Sequence, residues 1–330
     1  MAELPSSNSA TLSSLGEFEV IDRLREIAET AANKIEASKP IVGSGDDSAI
    51  VGFGASAVAM SIDMFVEDQH FRTDWATGID IGRRCAAASM SDVCAMGTTP
   101  TTLLVALAAP SDTSYALIRE IYSGLVEEAS NAGAQVVGGD MSAGDKIVVA
   151  VTAMGVSPKR GFLKRSGAKV GDIVAINGTV GRAAAGLRIL QRGLRAPRVL
   201  VDAYRYPTID YSAGLEARNA GAHAMMDISD GLVSDLAHMA KASGVTINIE
   251  TASLPVTEEL ATTASAFGTD PMQWILTGGD DNVLAATFSA GTTLPVGFYR
   301  IGEVIKQGEN FVTVDGFAAP DVGGFTHFRG

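Results

Sequence analysis

At 330 residues and 34.1 kDa the chain exceeds what one hydrophobic core ordinarily organises, so two domains are expected. Its 46% hydrophobic and 19% charged residues exclude disorder, and a formal charge of −13 argues against nucleic acid or an anionic membrane as partner. Cys85 and Cys94 lie nine residues apart in helix-like sequence, roughly 13 Å by helical rise, too far for a disulfide.

The opening "MAELPSSNSATLSSL" has neither a basic n-region nor a continuous apolar run, so residues 1–14 read as a loose tail and the protein as cytoplasmic. "GEFEVIDRLREIAETAANKI" follows as an amphipathic helix with Val20, Ile21, Leu24 and Ile27 on one side, stopped by Pro40. Two strand candidates, "SAIVGFG" and "AVAMSIDMFV", precede the polar loop "EDQHFRTDWATG". "DIGRRCAAASMSDVCAMG" reads as a helix closed by Gly97, "TTPTTLLVALAAP" as a buried strand, and "SYALIREIYSGLVEEASNAGA" as a further helix. It leads into "VVGGDMSAGDKIVVAVTAMG", where Asp140 stands behind two glycines and ahead of an apolar, strand-like run.

The basic, Gly-rich passage "SPKRGFLKRSGAKVGD" marks the domain junction, with a first domain over 15–157 and a second over 158–330. In the second half "IVAINGTVG" reads as strand and turn and "RAAAGLRILQRG" as helix. "AHAMMDISDGLVSDLAHMAKASGVTINIE" reads as strand, helix, strand. "QWILTGGDDNVLAATF" repeats the apolar run, Gly-Gly-Asp, apolar run of the Asp140 stretch. Met60, Met64, Met90 and Met96 are expected to pack.

Asp140 is one of a set with Asp46, Asp47, Asp63, Asp92, Asp227, Asp230, Asp280 and Asp281, most of them beside an apolar run or a glycine. Singly, such an aspartate is a turn residue or an N-cap. Together, converging carboxylates would repel one another unless a divalent cation joined them, and Mg²⁺ takes a carboxylate or two plus water and phosphate oxygens. Glycines ahead of Asp46, Asp140 and Asp280 would let main chain approach a phosphate or metal closely. No P-loop, dinucleotide fingerprint, protein-kinase motif or Ser/His/Asp set is present, so covalent catalysis lacks a candidate, and the four scattered histidines give zinc no support.

The ordered blocks "GEFEVIDRL", "GSGDDSAIV", "SIDMFVEDQHF", "SMSDVCAMGTTP", "VGGDMSAG", "KRSGAKVGDIVAINGTVGRAAAGL", "MMDISDGLVSDLAHMAKASG" and "LTGGDDNVLAATF" resemble the thiamine-monophosphate kinases. These belong to the ATP-binding superfamily of aminoimidazole ribonucleotide synthetase. The resemblance spans roughly residues 15–330. It implies an α/β (α+β) fold of two domains, the N-terminal mixed sheet joining a second copy in a dimer-interface barrel and the C-terminal domain α/β. It implies transfer of the ATP γ-phosphoryl group onto thiamine monophosphate with several Mg²⁺ ions and a possible monovalent cation.

By the same resemblance Asp46, Ser61, Asp63, Asp92, Asp140, Asp227 and Asp230 are metal ligands, with Asp46, Asp227 and Asp230 central to transfer. Gly139, Asp140, Arg165 and Ser229 contact ATP, while His70, Asp280 and Phe325 hold the thiamine end. From the residues alone, Arg165 is equally a solvated linker charge, and His70 with Phe71 and Trp75 is more readily a capped loop over a core than a substrate pocket.

The chain departs from the family in three places. It has "GGDDNVL" for Gly-Gly-Glu-Asp-Tyr-Glu-Leu, Ile62 for a common Thr, and "MSA" for Thr-Thr-Arg after Asp140. These departures keep two alternatives open: another small-molecule phosphotransferase of the superfamily, or a nucleotide sensor without an acceptor site.

Overall fold

The computed structural model describes residues 11–15, 17–32, 58–156 and 162–320. Asp46, Asp47, Phe325 and the strand candidate "SAIVGFG" lie outside them. The chain forms two compact units that do not follow chain order strictly: residues 1–93 and 100–156 form the first, and the short segment 94–99 packs with 157–330 in the second.

The first unit runs α1 (Leu12–Leu15), α2 (Glu17–Ala32), β1 (Val58–Val66), α3 (Gly78–Ala95), β2 (Thr99–Ala109), α4 (Tyr115–Asn131), β3 (Gln135–Ala143) and β4 (Val148–Val156). On α2 the apolar stripe buries Val20 and Leu24, and the helix packs on α4 and β3. α3 buries Ile81, Cys85, Met90, Val93 and Cys94, and Gly97, at φ +70, breaks the chain after it. Both cysteines are free.

The open four-stranded sheet has the order β1-β4-β2-β3, with β1 antiparallel to β4 and β3 parallel to β2. Asp140 therefore sits inside a strand rather than ahead of one, and the apolar run after it is a separate strand two places away in the sheet order. The register of β3 shifts where Leu103 pairs Val136 but Leu104 pairs Gly138, leaving Val137 as an extra residue. Such a bulge reverses the face to which every later side chain points, Asp140 included.

The second unit runs β5 (Ile173–Asn177), α5 (Arg182–Gln191), α6 (Arg198–Arg205), α7 (Ala213–Asn219), β6 (Ala224–Ile228), α8 (Leu232–Ser243) and β7 (Thr246–Ile249). It continues with α9 (Glu258–Phe267), α10 (Pro271–Thr277), β8 (Val283–Phe288), β9 (Phe298–Ile305), β10 (Val312–Val314) and β11 (Phe317–Ala318). Its seven strands are ordered β11-β10-β7-β9-β5-β8-β6, antiparallel except for β10 beside β7.

β8 is buried at every residue, as a central strand should be. The edge strand β6 is buried too, because main chain at Lys164 covers it and accepts a hydrogen bond from Met225 at 3.0 Å. The apolar run "QWILT" lies in helix α10: Asp270 caps it by accepting from the Met272 amide at 2.9 Å, and Pro271 holds its first turn. The likeness between the two Gly-Gly-Asp stretches thus stops at their letters. No described helix is long and apolar enough to cross a membrane.

Candidate active site

In the first unit, strand alternation puts Ser61 and Asp63 on one face of β1, and helical spacing puts Ser89 and Asp92 on one face of α3. The structure brings these four together. Ser61 Oγ donates to Asp92 Oδ2 at 2.5 Å, a charge-assisted bond that fixes the carboxylate. Asp63 Oδ2 is buried with no hydrogen-bond partner among the described residues.

Burial, and then the charge of Asp92, push the Asp63 carboxyl up to about 6, while the Ser89 hydroxyl pulls it down. Ser89 lies against Asp63 without meeting strict hydrogen-bond geometry, so its Oγ also counts as unpartnered. A buried, orphaned carboxylate oxygen beside a second carboxylate lacks a cation. The donor set, two carboxylates and two hydroxyls, is all oxygen and suits Mg²⁺, which completes its shell with water and phosphate. Ser89 was not singled out from the sequence, although its place three residues before Asp92 in a helix was a signal.

The remaining predicted residues of this unit stand apart. Among the described residues no three His, Cys, Asp or Glu converge as a metal cluster. Asp140, exposed on β3, lies three strands from β1, roughly 14 Å across the sheet. Gly139 lies against the backbone of β2: a Cβ there would meet Val105 O at 1.8 Å. Its approach is to a neighbouring strand.

His70 takes the loop-capping role. Its Nδ1 accepts from the Val66 amide at 2.8 Å, so in the neutral ring the proton is on Nε2, and the ring stands edge-on to Phe65 at 6.2 Å. Phe71 is core, and Trp75 is half-buried under the Arg72 guanidinium at 4.6 Å.

Met90 is core, but Met60 and Met64 are not packing residues of this chain. With Ile62 they form the outer face of β1, exposed by 68%, 67% and 61% in the order Met60, Ile62, Met64. The substitution at Ile62 therefore falls on the face opposite Ser61 and Asp63.

In the second unit Asp227 is buried near the end of β6, paired with Leu284, and the turn Ser229–Gly231 follows it. Gly231, at φ +127, opens α8. Oδ2 of Asp235, in the first turn of α8, accepts from the amides of Ser229, Asp230 and Gly231 at 2.9, 3.0 and 3.1 Å. Burial, then the charge of Asp230, push the Asp235 carboxyl up to about 6, against those three donors.

The 278–282 loop is stitched to the same turn: Asp280 N donates to Ser229 O and Asn282 N to Ile228 O, both at 2.8 Å. Asp280 and Asn282 both have positive φ, +69 and +51, which Asp and Asn tolerate better than most residues. Asp281 turns inward and accepts from the Gly181 amide and, at 2.9 Å, from that of Ala183 at the start of α5. Burial pushes it up to about 7, with the two amides pulling the other way.

Asp227, Ser229, Asp230 and Asp280 are thus gathered on two interlocked loops, and Arg165 is not. Its side chain is exposed, and its carbonyl accepts from Ser243 Oγ at 3.2 Å at the far end of α8. That helix has twelve residues, which is roughly 18 Å from the Ser229 turn.

Two family models match this architecture: AIR synthase related protein, N-terminal domain, over residues 45–157, and AIR synthase related protein, C-terminal domain, over residues 169–315. These two matches define the class, an AIR synthase related protein, and each unit carries its own oxygen-rich cluster. A thiamine-monophosphate kinase of Mycobacterium tuberculosis is 40% identical over 311 residues, covering 94% of this chain and 91% of the relative.

Two solved structures superpose with a TM-score of 0.79. One is the thiamine-monophosphate kinase of Stenotrophomonas maltophilia, at 31% identity over 92% of this chain and 98% of that one. The other, described as AaThiL complexed with AMPPCP and TMP, is 30% identical over 97% of this chain and 99% of its own. Within the class, the chain belongs to the thiamine-monophosphate kinase family.

Proposed function

We infer that this protein transfers the γ-phosphoryl group of ATP to the phosphate of thiamine monophosphate, giving thiamine diphosphate and ADP. The observation that carries the reading is 40% identity to a thiamine-monophosphate kinase over 94% of the chain. An oxygen of the acceptor phosphate attacks the γ-phosphorus. The bond from that phosphorus to the bridging oxygen breaks, and ADP leaves with the electron pair. The acceptor oxygen is already ionised near neutral pH, so no side chain has to take a proton. This agrees with a sequence that offers no nucleophile and base pair.

Two ionised phosphates resist approach, so the protein must neutralise and align them. Mg²⁺ held by the protein would act as a Lewis acid that offsets the phosphate charge. In the first unit Asp63 and Asp92 would hold it, with Ser61 fixing the second of these; Asp46 and Asp140 complete the family's set. In the second unit Asp227 and Asp230 would hold it. Gly139, Arg165 and Ser229 are assigned to the nucleotide, and His70, Asp280 and Phe325 to the thiamine end. Residues 15–157 and 158–330 are the proposed domains.

We also propose a homodimer. Among the described residues β1 is an edge strand, and its outer face is a row of three exposed apolar side chains, Met60, Ile62 and Met64. Such an edge is an aggregation hazard unless it is covered. A second β1 is the occupant, joining two open sheets.

The test is product formation from ATP and Mg²⁺ with thiamine monophosphate, thiamine or no acceptor, identified by mass. Thiamine diphosphate formed only from the monophosphate sustains the reading. Nucleotide binding without transfer would replace it with a sensor.

A further inference from the structure

By main chain alone, the second unit offers two anion cradles, each a glycine of positive φ leading into a helix: Gly231 before α8 and Gly181 before α5. In both, a carboxyl group of the protein's own is already in place. Asp235 takes all three amides of the Ser229–Gly231 turn on a single oxygen. Asp281 takes the Gly181 and Ala183 amides. The two residues are 3% and 6% exposed.

The carbonyl side of the first turn is consumed as well. Ile228 O and Ser229 O accept from Asn282 and Asp280, and Gly231 O accepts from the Asp235 amide at 2.9 Å. The turn is also wedged from outside. A Cβ on Gly231 would meet Thr277 O at 2.9 Å, and one on Gly279 would meet Ser229 O at 2.5 Å. With its amides spent internally, this turn has only side chains to offer a ligand. Those are the Ser229 hydroxyl, which can meet a nucleotide oxygen or a cation, and the Asp230 carboxylate, which suits a cation and not a bare phosphate.

We propose that Asp235 is a positioning residue: its carboxylate occupies the amides of Ser229–Gly231, holds Asp230 in place for a divalent cation, and denies the turn to phosphate. The assignment rests on the kinase reading, in which the turn serves a metal-bound nucleotide. It extends that reading, because Asp235 touches neither substrate nor metal.

Mn²⁺ uptake in the presence of ADP, followed by electron paramagnetic resonance, is the readout for the full-length wild type, Asp235→Asn and Asp235→Ala. Asp235→Asn keeps the volume and one acceptor oxygen but loses the charge, and should weaken Mn²⁺ binding about 10–100-fold, the usual effect of removing a residue that orients a metal ligand. Sodium formate, but not sodium chloride at equal ionic strength, should restore binding to Asp235→Ala by refilling the amides. Folded variants that bind Mn²⁺ as the wild type does would overturn the proposal.

Amide hydrogen exchange on the wild type decides the matter even if both variants fail to fold. Protection at 229–231 that ADP and Mn²⁺ leave unchanged supports the clamp. Amides that exchange freely and become protected only when nucleotide is added would sink it. A wild type that takes up no Mn²⁺ with ADP overturns the kinase reading itself, an outcome distinct from failure of the clamp, which leaves wild-type uptake intact.

Discussion

Gly138 and Gly139 are adjacent, similar in sequence context and opposite in consequence. A Cβ built on Gly139 falls 1.8 Å from Val105 O, 2.8 Å from Val105 C and 3.2 Å from Val105 N, all of it backbone. To reach even 3.0 Å, β3 must leave β2 by about 1.2 Å at this point. Overpacking of this kind costs about 1–3 kcal/mol, and the upper end applies because no flexible side chain can yield. In a unit of this size each kcal/mol lowers Tm by about 2–4 °C, so Gly139→Ala should lose about 6–12 °C.

Asp140 rides on the displaced strand, and a misplacement near 1 Å costs about 10²-fold in kcat/KM. A Cβ on Gly138 would lie 3.5 Å from Leu104 Cδ2, an ordinary contact, so Gly138→Ala should change Tm by about 2 °C or less. Thermal melts and thiamine diphosphate formation on both variants make the comparison. A Gly139→Ala protein that melts and turns over like Gly138→Ala would refute the steric argument and with it the reason given for the glycine.

Asp227→Asn removes a buried charge without changing size, so turnover should fall at least ~10²-fold while Tm holds or rises; wild-type rates in saturating Mg²⁺ would remove Asp227 from the site. Asp281 binds a proton in the folded state that the unfolded chain has lost above its ordinary value of 3.8. Its contribution to stability is therefore complete below about pH 4 and is lost as pH rises through about 7. That displacement is worth on the order of 4 kcal/mol. Asp281→Asn should accordingly gain on the wild type in Tm between pH 5 and 8, and a difference independent of pH would contradict the burial argument. Ile62→Asp should convert a dimer to a monomer in light scattering, and a wild type that is already monomeric would remove the proposed role of β1.

The sequence by itself determined the elements whose periodicity is long or whose ends are chemically marked. α2 follows from its stripe, α3 from its closing Gly97, and β2 and α4 from runs of eleven and seventeen residues. The start of α10 is marked too, by Asp270 and Pro271, but its apolar run is too short to show a helical period. The motif series determined the family, because eight short blocks in order carry information that no single block does. Ser61, Asp63 and Asp92, expected as ligands from the same series, lie together in the fold.

What only the tertiary structure decided depends on which strand neighbours which. Alternation divides β1 into two faces, but only the sheet order places β1 at the edge of the described strands, with Met60 and Met64 exposed. The bulge at Val137 has no local signature, being an adjustment of one strand to another, and it sets the face on which Asp140 emerges. Asp235 and Asp281 resemble any other acidic residue in the sequence. They become clamps because the fold buries them against main-chain amides, and a buried donor must find an acceptor.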